Sequence, residues 1–201
     1  MQFIMIMLLG YLIGSIPFAL VIGKVFYKTD VREHGSHNLG GGNTGRVLGK
    51  KAGVAVMTMD ILKVTFVVFL AMRLVGTELA AVCGALSAAV GHCFPVFAHF
   101  RGGKAVATMY GFLFGLFVCV GYSPLVFFLP LLVFLVILYL TKIIALSSIG
   151  SAVAVTVYVG LTAGSLPVTA ALVVFTLLII VRHRKNIERI ARHRENKISW
   201  M

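Results

Sequence analysis

The sequence predicts an all-α integral membrane protein with about seven transmembrane helices, an N-terminus outside the membrane and a C-terminus in the cytoplasm. The composition indicates a membrane protein, because 60% of the 201 residues are hydrophobic and only 12% are charged. Several apolar runs are long enough to cross about 30 Å of hydrocarbon. All 18 Lys and Arg residues except Lys63 and Arg73 lie in connecting segments or the tail. The positive-inside rule places those segments in the cytoplasm.

The apolar runs divide the chain into predicted spans. They are residues 3–23, 53–72, 79–97, 105–122, 124–140, 147–164 and 167–181. The first run lacks a basic leading segment and a small-residue cleavage site, which favours a retained helix over a signal peptide. Between residues 105 and 181 only Lys142 is charged. The boundaries there depend on length and on turns predicted at 122–124 and 164–167, and five spans is the alternative count.

The net charge of +12 suggests either nucleic acid or anionic lipid as a partner. The tail from Arg182 to Lys197 carries seven basic residues, with Ile187, Ile190 and Ala191 at helical spacing. This pattern favours a helix lying on the anionic inner leaflet of the membrane, and we expect no nucleic-acid partner. No composition shift marks a separate soluble region, so residues 1–201 are predicted to form one polytopic membrane domain.

A glycine-rich polar segment runs from Gly35 to Arg46 after the first span. Its hydrogen-bonding and glycine residues include Ser36, Asn38, Gly40, Gly41, Gly42 and Asn43. Glycines let successive amides converge on an anion, and the Arg46 guanidinium adds a fixed charge, so the segment predicts a phosphate site. The alternative is an ordinary cytoplasmic loop. Residues 40–45 match G-x-G-x-x-G, but no strand precedes them, which argues against a dinucleotide fold.

A second polar segment follows the third predicted span. Gly91 and His92 end that span, and Gly102, Gly103 and Lys104 precede the next helix. Lys104 is therefore expected near a helix N-terminus, where free amides and the helix dipole already favour an anion. We expect either a second phosphate site or the opposite wall of the first. His92 is either an interfacial histidine bonded to backbone or a residue that contacts substrate.

A third polar segment begins where the last span ends. His183 and Asn186 are three residues apart, which places them on one face of a helix beside Arg182. Such a face can hold a polar head group, although a basic flank of this kind also serves as a stop-transfer signal. Ser147 and Ser148 either contribute hydroxyl contacts to the site or cap a helix.

Charged and thiol groups inside the spans are predicted to be structural. Asp60 and Lys63 are three residues apart, so each can neutralise the other within the membrane. Cys83, Cys93 and Cys119 are scattered through apolar segments, which predicts packing residues and no disulfide framework or metal cluster.

Several spaced motifs together resemble one known family. They are Gly35-Ser36-x-Asn38-x-Gly40, Asn43, Arg46, Gly91-His92-x-Phe94-Pro95, Gly102-Gly103-Lys104-x-Val106-Ala107-Thr108, Ser147-Ser148 and Arg182-His183-Arg184-x-Asn186-Ile187. These blocks resemble the bacterial acyl-phosphate:glycerol-3-phosphate acyltransferases, the PlsY family, and the opening Tyr11–Pro17 is similar as well. The chain departs from the family pattern at Gly41-Gly42, where Ala-Thr is usual, and at Ala105, where glycine is usual.

The resemblance implies transfer of a fatty acyl group from acyl phosphate to the 1-hydroxyl of glycerol-3-phosphate, with lysophosphatidic acid and phosphate as products. It also implies a bacterial plasma-membrane location and no cofactor, because acyl phosphate is already an activated anhydride. Two phosphate-bearing substrates require dense cationic and amide donors, which the polar segments supply. The acyl chain requires a groove between helices.

Residue by residue, the resemblance assigns the site to Ser36, Asn38, Arg46, His92, Lys104, Ser148, His183 and Asn186. Arg46 and Lys104 would neutralise phosphate, and Ser36 with Asn38 would stabilise the reacting acyl phosphate. His183 and Asn186 would orient glycerol-3-phosphate. The group that accepts the hydroxyl proton is either His92 or the substrate's own phosphate.

A transporter and a non-enzymatic scaffold are the two alternative functions. A phosphate or organic-anion transporter needs polar residues through the middle of the bilayer, whereas the polar segments here are all predicted at one membrane face. A scaffold protein without enzymatic activity has no need for three convergent anion-binding segments. Phosphate flux would identify the transporter, and tight binding of glycerol-3-phosphate would argue against the scaffold.

Overall fold

The computed structural model describes residues 1–162 and 165–198, and within them every regular element is helical. The α-helices are α1 (Gln2–Gly14), α2 (Phe18–Tyr27), α3 (Gly41–Leu48), α4 (Lys50–Leu74), α5 (Glu78–Cys93), α6 (Val106–Gly115), α7 (Leu125–Thr141), α8 (Ile144–Thr162), α9 (Leu166–Arg182) and α10 (Arg184–Ala191). Short 3-10 helices form at Val31–Glu33 and Val96–Ala98, and a π-helix at Leu116–Val120 extends α6. The predicted all-α class is confirmed.

Several helices have the length and composition of membrane spans. Within the described residues, four segments meet both criteria, namely Gln2–Tyr27, Lys50–Leu74, Glu78–Ala98 and Ile144–Thr162. The bent pair of α9 and α10 makes a fifth if it counts as one span. The segments Val106–Val120 and Leu125–Thr141 are apolar but shorter. Each predicted span coincides with one of these segments. The last two residues of the predicted span 147–164 and the start of the turn predicted at 164–167 lie outside the described residues.

The first predicted span is not one continuous helix. α1 ends at Gly14 and α2 begins at Phe18. Pro17 has no amide hydrogen and disfavours helix in the residue before it, so the helix breaks there. The carbonyl of Ile16, within the break, accepts a hydrogen bond of 3.0 Å from Lys63 Nζ on α4. The prediction of a single helix over 3–23 is therefore wrong, and the break ties the first span to the second.

Small residues bring the helices into close contact. A Cβ on Gly14 of α1 would collide with the backbone of Ala88 on α5, and one on Gly111 of α6 would collide with the Ile61 carbonyl on α4. Membrane helices lack a hydrophobic drive to associate in lipid, so close backbone approach and dispersion contacts hold them together. α1 thus packs against α5, and α6 packs against α4.

The short helix α3 lies across the start of α4. A Cβ on Gly53 would be 2.6 Å from the Gly45 Cα and 2.8 Å from the Gly41 carbonyl oxygen. These three glycines let the two backbones touch, so α4 fixes the position of the α3 N-terminus. That N-terminus borders the cavity described next.

Candidate active site

A cavity of about 490 Å³ lies among α3, α4, α6, α7 and the C-terminal segment. Its polar end is lined by Ser36, Asn38, Gly40, Gly41, Gly42, Asn43, Arg46, His92, Lys104, Ser148, His183 and Asn186. Its apolar end is lined by Met57, Ile61, Val106, Tyr110, Phe127, Leu131, Phe134 and Leu135. Polar segments that are far apart in the sequence therefore meet at one end of a hydrophobic groove.

The loop before α3 is held in shape by Asn43. Its side-chain oxygen accepts the Ser36 amide at 2.8 Å, and its Nδ2 donates to the carbonyls of Val31 (2.8 Å) and His34 (3.2 Å). The side chain is buried, and both of its N–H groups are used inside the loop. Asn43 is expected to bind substrate; it lines the cavity, and its side chain also anchors the loop that carries Ser36.

The N-terminus of α3 brings uncapped backbone amides to the cavity. No side chain caps this helix, and Gly40, Gly41 and Gly42 border the cavity. The first amides of a helix lack intrahelical acceptors, and the helix dipole adds positive potential there. Arg46 follows on the same helix, is exposed, and makes no hydrogen bond or ion pair with any residue that the structure describes. Its guanidinium is therefore available to a substrate anion.

Lys104 begins a chain of hydrogen bonds that runs into the C-terminal tail. Its Nζ donates to Asn186 Oδ1 at 2.5 Å, and Asn186 Nδ2 donates to Glu195 at 2.6 Å. The second oxygen of Glu195 accepts from Arg189 at 2.6 Å. Burial lowers the pKa of Lys104 to about 8; the Glu195 carboxylate opposes that shift, and Arg189 adds to it. Lys104 is thus a cation whose charge is sensitive to what binds beside it.

His183 lies at a break between two helices. α9 ends at Arg182 and α10 leaves at an angle of 60°. The His183 Nδ1 is 2.8 Å from the Ile179 carbonyl, which can only accept, so Nδ1 carries the hydrogen and Nε2 of the neutral ring is an acceptor. His183 and Asn186 were predicted to share one face of a continuous helix. The structure corrects that geometry but still places both residues at the cavity.

The two serines of α8 have different positions. Ser148 lines the cavity, and its hydroxyl donates to the Ile144 carbonyl at 2.8 Å, which leaves the oxygen lone pairs as acceptors. Ser147 is fully buried, donates to the Ile143 carbonyl at 2.9 Å, and is not among the residues that line the cavity. Only Ser148 of this predicted pair borders the site.

Gly102 and Gly103 pack against His92 and are not among the residues that line the cavity. The Gly103 amide donates to the His92 carbonyl at 3.0 Å, so it is not free for an anion. Arg182 donates to the carbonyls of both glycines at 3.0 Å, and its guanidinium lies 5.2 Å from the centre of the Phe94 ring. The predicted role of these glycines in substrate binding is therefore corrected to one of packing, because side chains here would collide with His92.

Comparison with known proteins gives the family. The family described as "Glycerol-3-phosphate acyltransferase" matches residues 4–193. The chain belongs to this family. A glycerol-3-phosphate acyltransferase of Geobacillus kaustophilus (strain HTA426) is 46% identical over 196 residues, which cover 98% of this chain and 96% of the relative. A glycerol-3-phosphate acyltransferase of Bacillus cereus (strain G9842) is 44% identical, and the alignment covers 98% of this chain and 95% of that relative.

Two solved structures share the fold of this acyltransferase. Both are crystal structures of PlsY, described as an integral membrane glycerol 3-phosphate acyltransferase. The glycerol 3-phosphate form has a TM-score of 0.91 at 34% identity, and the lysophosphatidic acid form has 0.89 at 33%. Each alignment covers 99% of this chain and 96% of the solved chain. Together with the apolar helices, this match makes the acyltransferase a multi-pass membrane protein.

Sequence reasoning missed several residues at the acyltransferase site. Asp60 lines the cavity, and its neighbour Lys63 contacts His92 at 3.2 Å. An ionisable pair within an apolar span is itself a functional signal, and it was assigned only a structural role. The tail residues Arg189 and Glu195 also line the cavity. Glu195 is one of two acidic residues in a strongly basic tail, and no spacing distinguishes it from Glu188, so the sequence offered no clear signal for it.

Proposed function

We propose that this acyltransferase moves a fatty acyl group from acyl phosphate to the 1-hydroxyl of sn-glycerol 3-phosphate, forming lysophosphatidic acid and phosphate. The observation that carries the proposal is the cavity, which joins a cationic, amide-rich end to an apolar groove. Membership of the glycerol-3-phosphate acyltransferase family supports the acceptor, and solved relatives in glycerol 3-phosphate and lysophosphatidic acid forms support acceptor and product.

The reaction breaks the anhydride C–O bond of acyl phosphate. The acceptor hydroxyl oxygen attacks the acyl carbonyl carbon, phosphate leaves, and the hydroxyl proton passes either to the substrate's own phosphate or to His92. Arg46 and the α3 amides neutralise the phosphate of the donor. Ser36 and Asn38 stabilise the reacting acyl phosphate.

The acceptor lies on the other side of the polar end. Asn186 and Lys104 already form a hydrogen bond, so a phosphate group of the acceptor can replace the Asn186 oxygen as the partner of the ammonium. His183 supplies an acceptor nitrogen for the hydroxyl, and Ser148 supplies an oxygen. The acyl chain lies along α6 and α7, where aromatic and aliphatic side chains line the groove.

We propose seven spans with the N-terminus outside and the C-terminus in the cytoplasm of a bacterial plasma membrane. The shorter helices α6 and α7 span the membrane as the longer helices do. Residues 1–201 form one domain. Arg184 and Lys185 on α10 are exposed, and Ile187 is 39% exposed, so α10 faces the anionic inner leaflet. The partners are acyl phosphate, glycerol 3-phosphate and this leaflet.

The test is an activity assay on purified protein. With glycerol 3-phosphate as acceptor, we expect lysophosphatidic acid from acyl phosphate and none from acyl-CoA, because the α3 amides and Arg46 suit a phosphate attached directly to the acyl group. Comparable rates with acyl-CoA would contradict the donor assignment. Protein-dependent phosphate flux in liposomes, without acyl transfer, would support the transporter instead.

A further inference from the structure

Packing alone does not require the buried ion pair of α4. Asp60 and Lys63 are 2.6 Å apart, and each side chain is 2% exposed, within a helix that has the properties of a membrane span. Removing two charges from water is costly, and hydrophobic residues of similar volume often replace such a pair with no loss of stability. The pair also contacts groups outside α4.

Lys63 uses all three of its N–H groups. It donates to Asp60 Oδ1 at 2.6 Å, to the Ile16 carbonyl at 3.0 Å and to His92 Nδ1 at 3.2 Å. An ammonium group can only donate, so His92 Nδ1 must accept. Asp60 Oδ1 is 3.6 Å from the same nitrogen, which is too long for a competing hydrogen bond. The single ring hydrogen of neutral His92 is therefore on Nε2.

The opposite edge of the His92 ring is held as well. Nε2 packs so tightly against Gly103 that a Cβ there would collide with it. Gly103 is fixed in turn by the hydrogen bond that Arg182 donates to its carbonyl and by its own amide bond to the His92 carbonyl. His92 borders the cavity, its Nδ1 is held by Lys63, and its Nε2 makes no hydrogen bond with any described residue, so the Nε2–H is available to a ligand.

We propose that Lys63, supported by Asp60, is a positioning residue that holds His92 in the Nε2–H tautomer, so that His92 donates a hydrogen bond to the acyl donor in the cavity. The hydrogen bond is directed at an oxygen of acyl phosphate that gains negative charge during transfer. His92 then does not take the acceptor's hydroxyl proton at Nε2. This inference rests on the proposed acyl transfer.

The tautomer can be measured without any substrate. Purified protein labelled with ¹⁵N-histidine is examined by NMR, and the His92 signals are assigned by their loss in a His92→Gln variant. We expect proton-bearing Nε2 and proton-free Nδ1 at neutral pH. A hydrogen on Nδ1 would overturn the proposal. Because no acyl transfer is needed, this result is separable from any failure of the proposed function.

Two double variants separate positioning from packing. Asp60→Leu/Lys63→Met removes both charges and the donor together, which avoids an unpaired buried charge. Asp60→Asn/Lys63→Gln also removes both charges but keeps a neutral N–H for His92 Nδ1. In Asp60→Leu/Lys63→Met we expect kcat with acyl phosphate to fall about tenfold to a hundredfold, and KM for glycerol 3-phosphate to stay within about twofold of wild type. In Asp60→Asn/Lys63→Gln we expect most of the lost kcat to be recovered.

The variants are compared at equal folded fraction, measured by thermal unfolding in detergent. If the two double variants have equal kcat, or if the first keeps full activity, then Lys63 only packs and the proposal is wrong. If wild-type protein shows the expected tautomer but no acyl transfer, the proposed function fails instead.

Discussion

Arg46 and Lys104 differ in what already surrounds them. Lys104 is bonded to Asn186, whereas Arg46 has no partner among the described residues. A charge-assisted hydrogen bond is worth about 1.5–3 kcal/mol, so Arg46→Met or Lys104→Met should lower kcat/KM at least about tenfold. Steady-state rates with acyl phosphate and glycerol 3-phosphate measure this effect.

The matched control is Arg73→Met. Arg73 is exposed near the end of α4 that lies away from the cavity, and its guanidinium lies 5.4 Å from the centre of the Phe69 ring. We expect kcat/KM to remain within about twofold of wild type, as for surface substitutions in general. If Arg73→Met reduces activity as much as the other two variants, the cations have been assigned to the wrong place.

The charge of Lys104 predicts a pH dependence. Burial lowers the pKa of Lys104 to about 8, so the free enzyme carries this cation below about pH 8 and loses it above. The second phosphate pKa is about 6, so the acceptor stays dianionic there. We expect kcat/KM for glycerol 3-phosphate to fall above pH 8, by up to about tenfold per pH unit. The Lys104→Arg variant keeps its charge, so its kcat/KM should not change from pH 7.5 to 9.5, whatever its absolute activity. If wild type and Lys104→Arg show the same dependence on pH, Lys104 is not the titrating group.

At the scale of elements, the contact between α3 and α4 sets the position of the anion site. A Cβ on Gly53 would be 2.6 Å from the Gly45 Cα and 2.8 Å from the Gly41 carbonyl oxygen, and these two backbone atoms cannot rotate away. Gly53→Ala should therefore lower the free energy of unfolding by about 1–3 kcal/mol and displace the α3 amides from the cavity. We expect a lower Tm and a higher KM for acyl phosphate.

Gly160→Ala is the matched control for this helix contact. A Cβ on Gly160 of α8 would meet only the Thr169 side chain at 3.5 Å, which is ordinary contact. Its Tm should equal or exceed that of wild type, since alanine favours helix over glycine by about 1 kcal/mol. If the two substitutions change Tm and KM for acyl phosphate equally, the contact between α3 and α4 does not set the position of the α3 amides.

The sequence predicted most of the elements but not their long-range bonds. Apolar runs located the helices because a span needs about 20 apolar residues, and residues such as Arg46 and Lys104 were identified by their chemistry. The role of Asn43 depends on carbonyls nine and twelve residues upstream. Arg182 reaches carbonyls about 80 residues earlier. No local spacing encodes such contacts, so their donors were interpreted as substrate ligands or as a basic flank.

For the whole molecule, the proposed orientation can be tested by labelling. Single cysteines replace Lys185, exposed on α10, or Ser123, exposed in the turn before α7, after Cys83, Cys93 and Cys119 are changed to alanine. A membrane-impermeant maleimide should label the Ser123→Cys protein in intact cells and the Lys185→Cys protein only in inverted vesicles. Labelling of the Lys185→Cys protein in intact cells would show that the C-terminus lies outside and that the proposed orientation is wrong.

The apolar end of the cavity is not sealed by protein. Phe127, Leu131 and Phe134 are half-buried, and Leu135 is 43% exposed on the surface of α7. An acyl chain in the groove can therefore leave sideways between the bilayer tails. Each methylene that stays out of water avoids a cost of about 0.8 kcal/mol. Lysophosphatidic acid made here would enter the leaflet directly, without a soluble carrier, and whatever consumes it must work from within the same membrane.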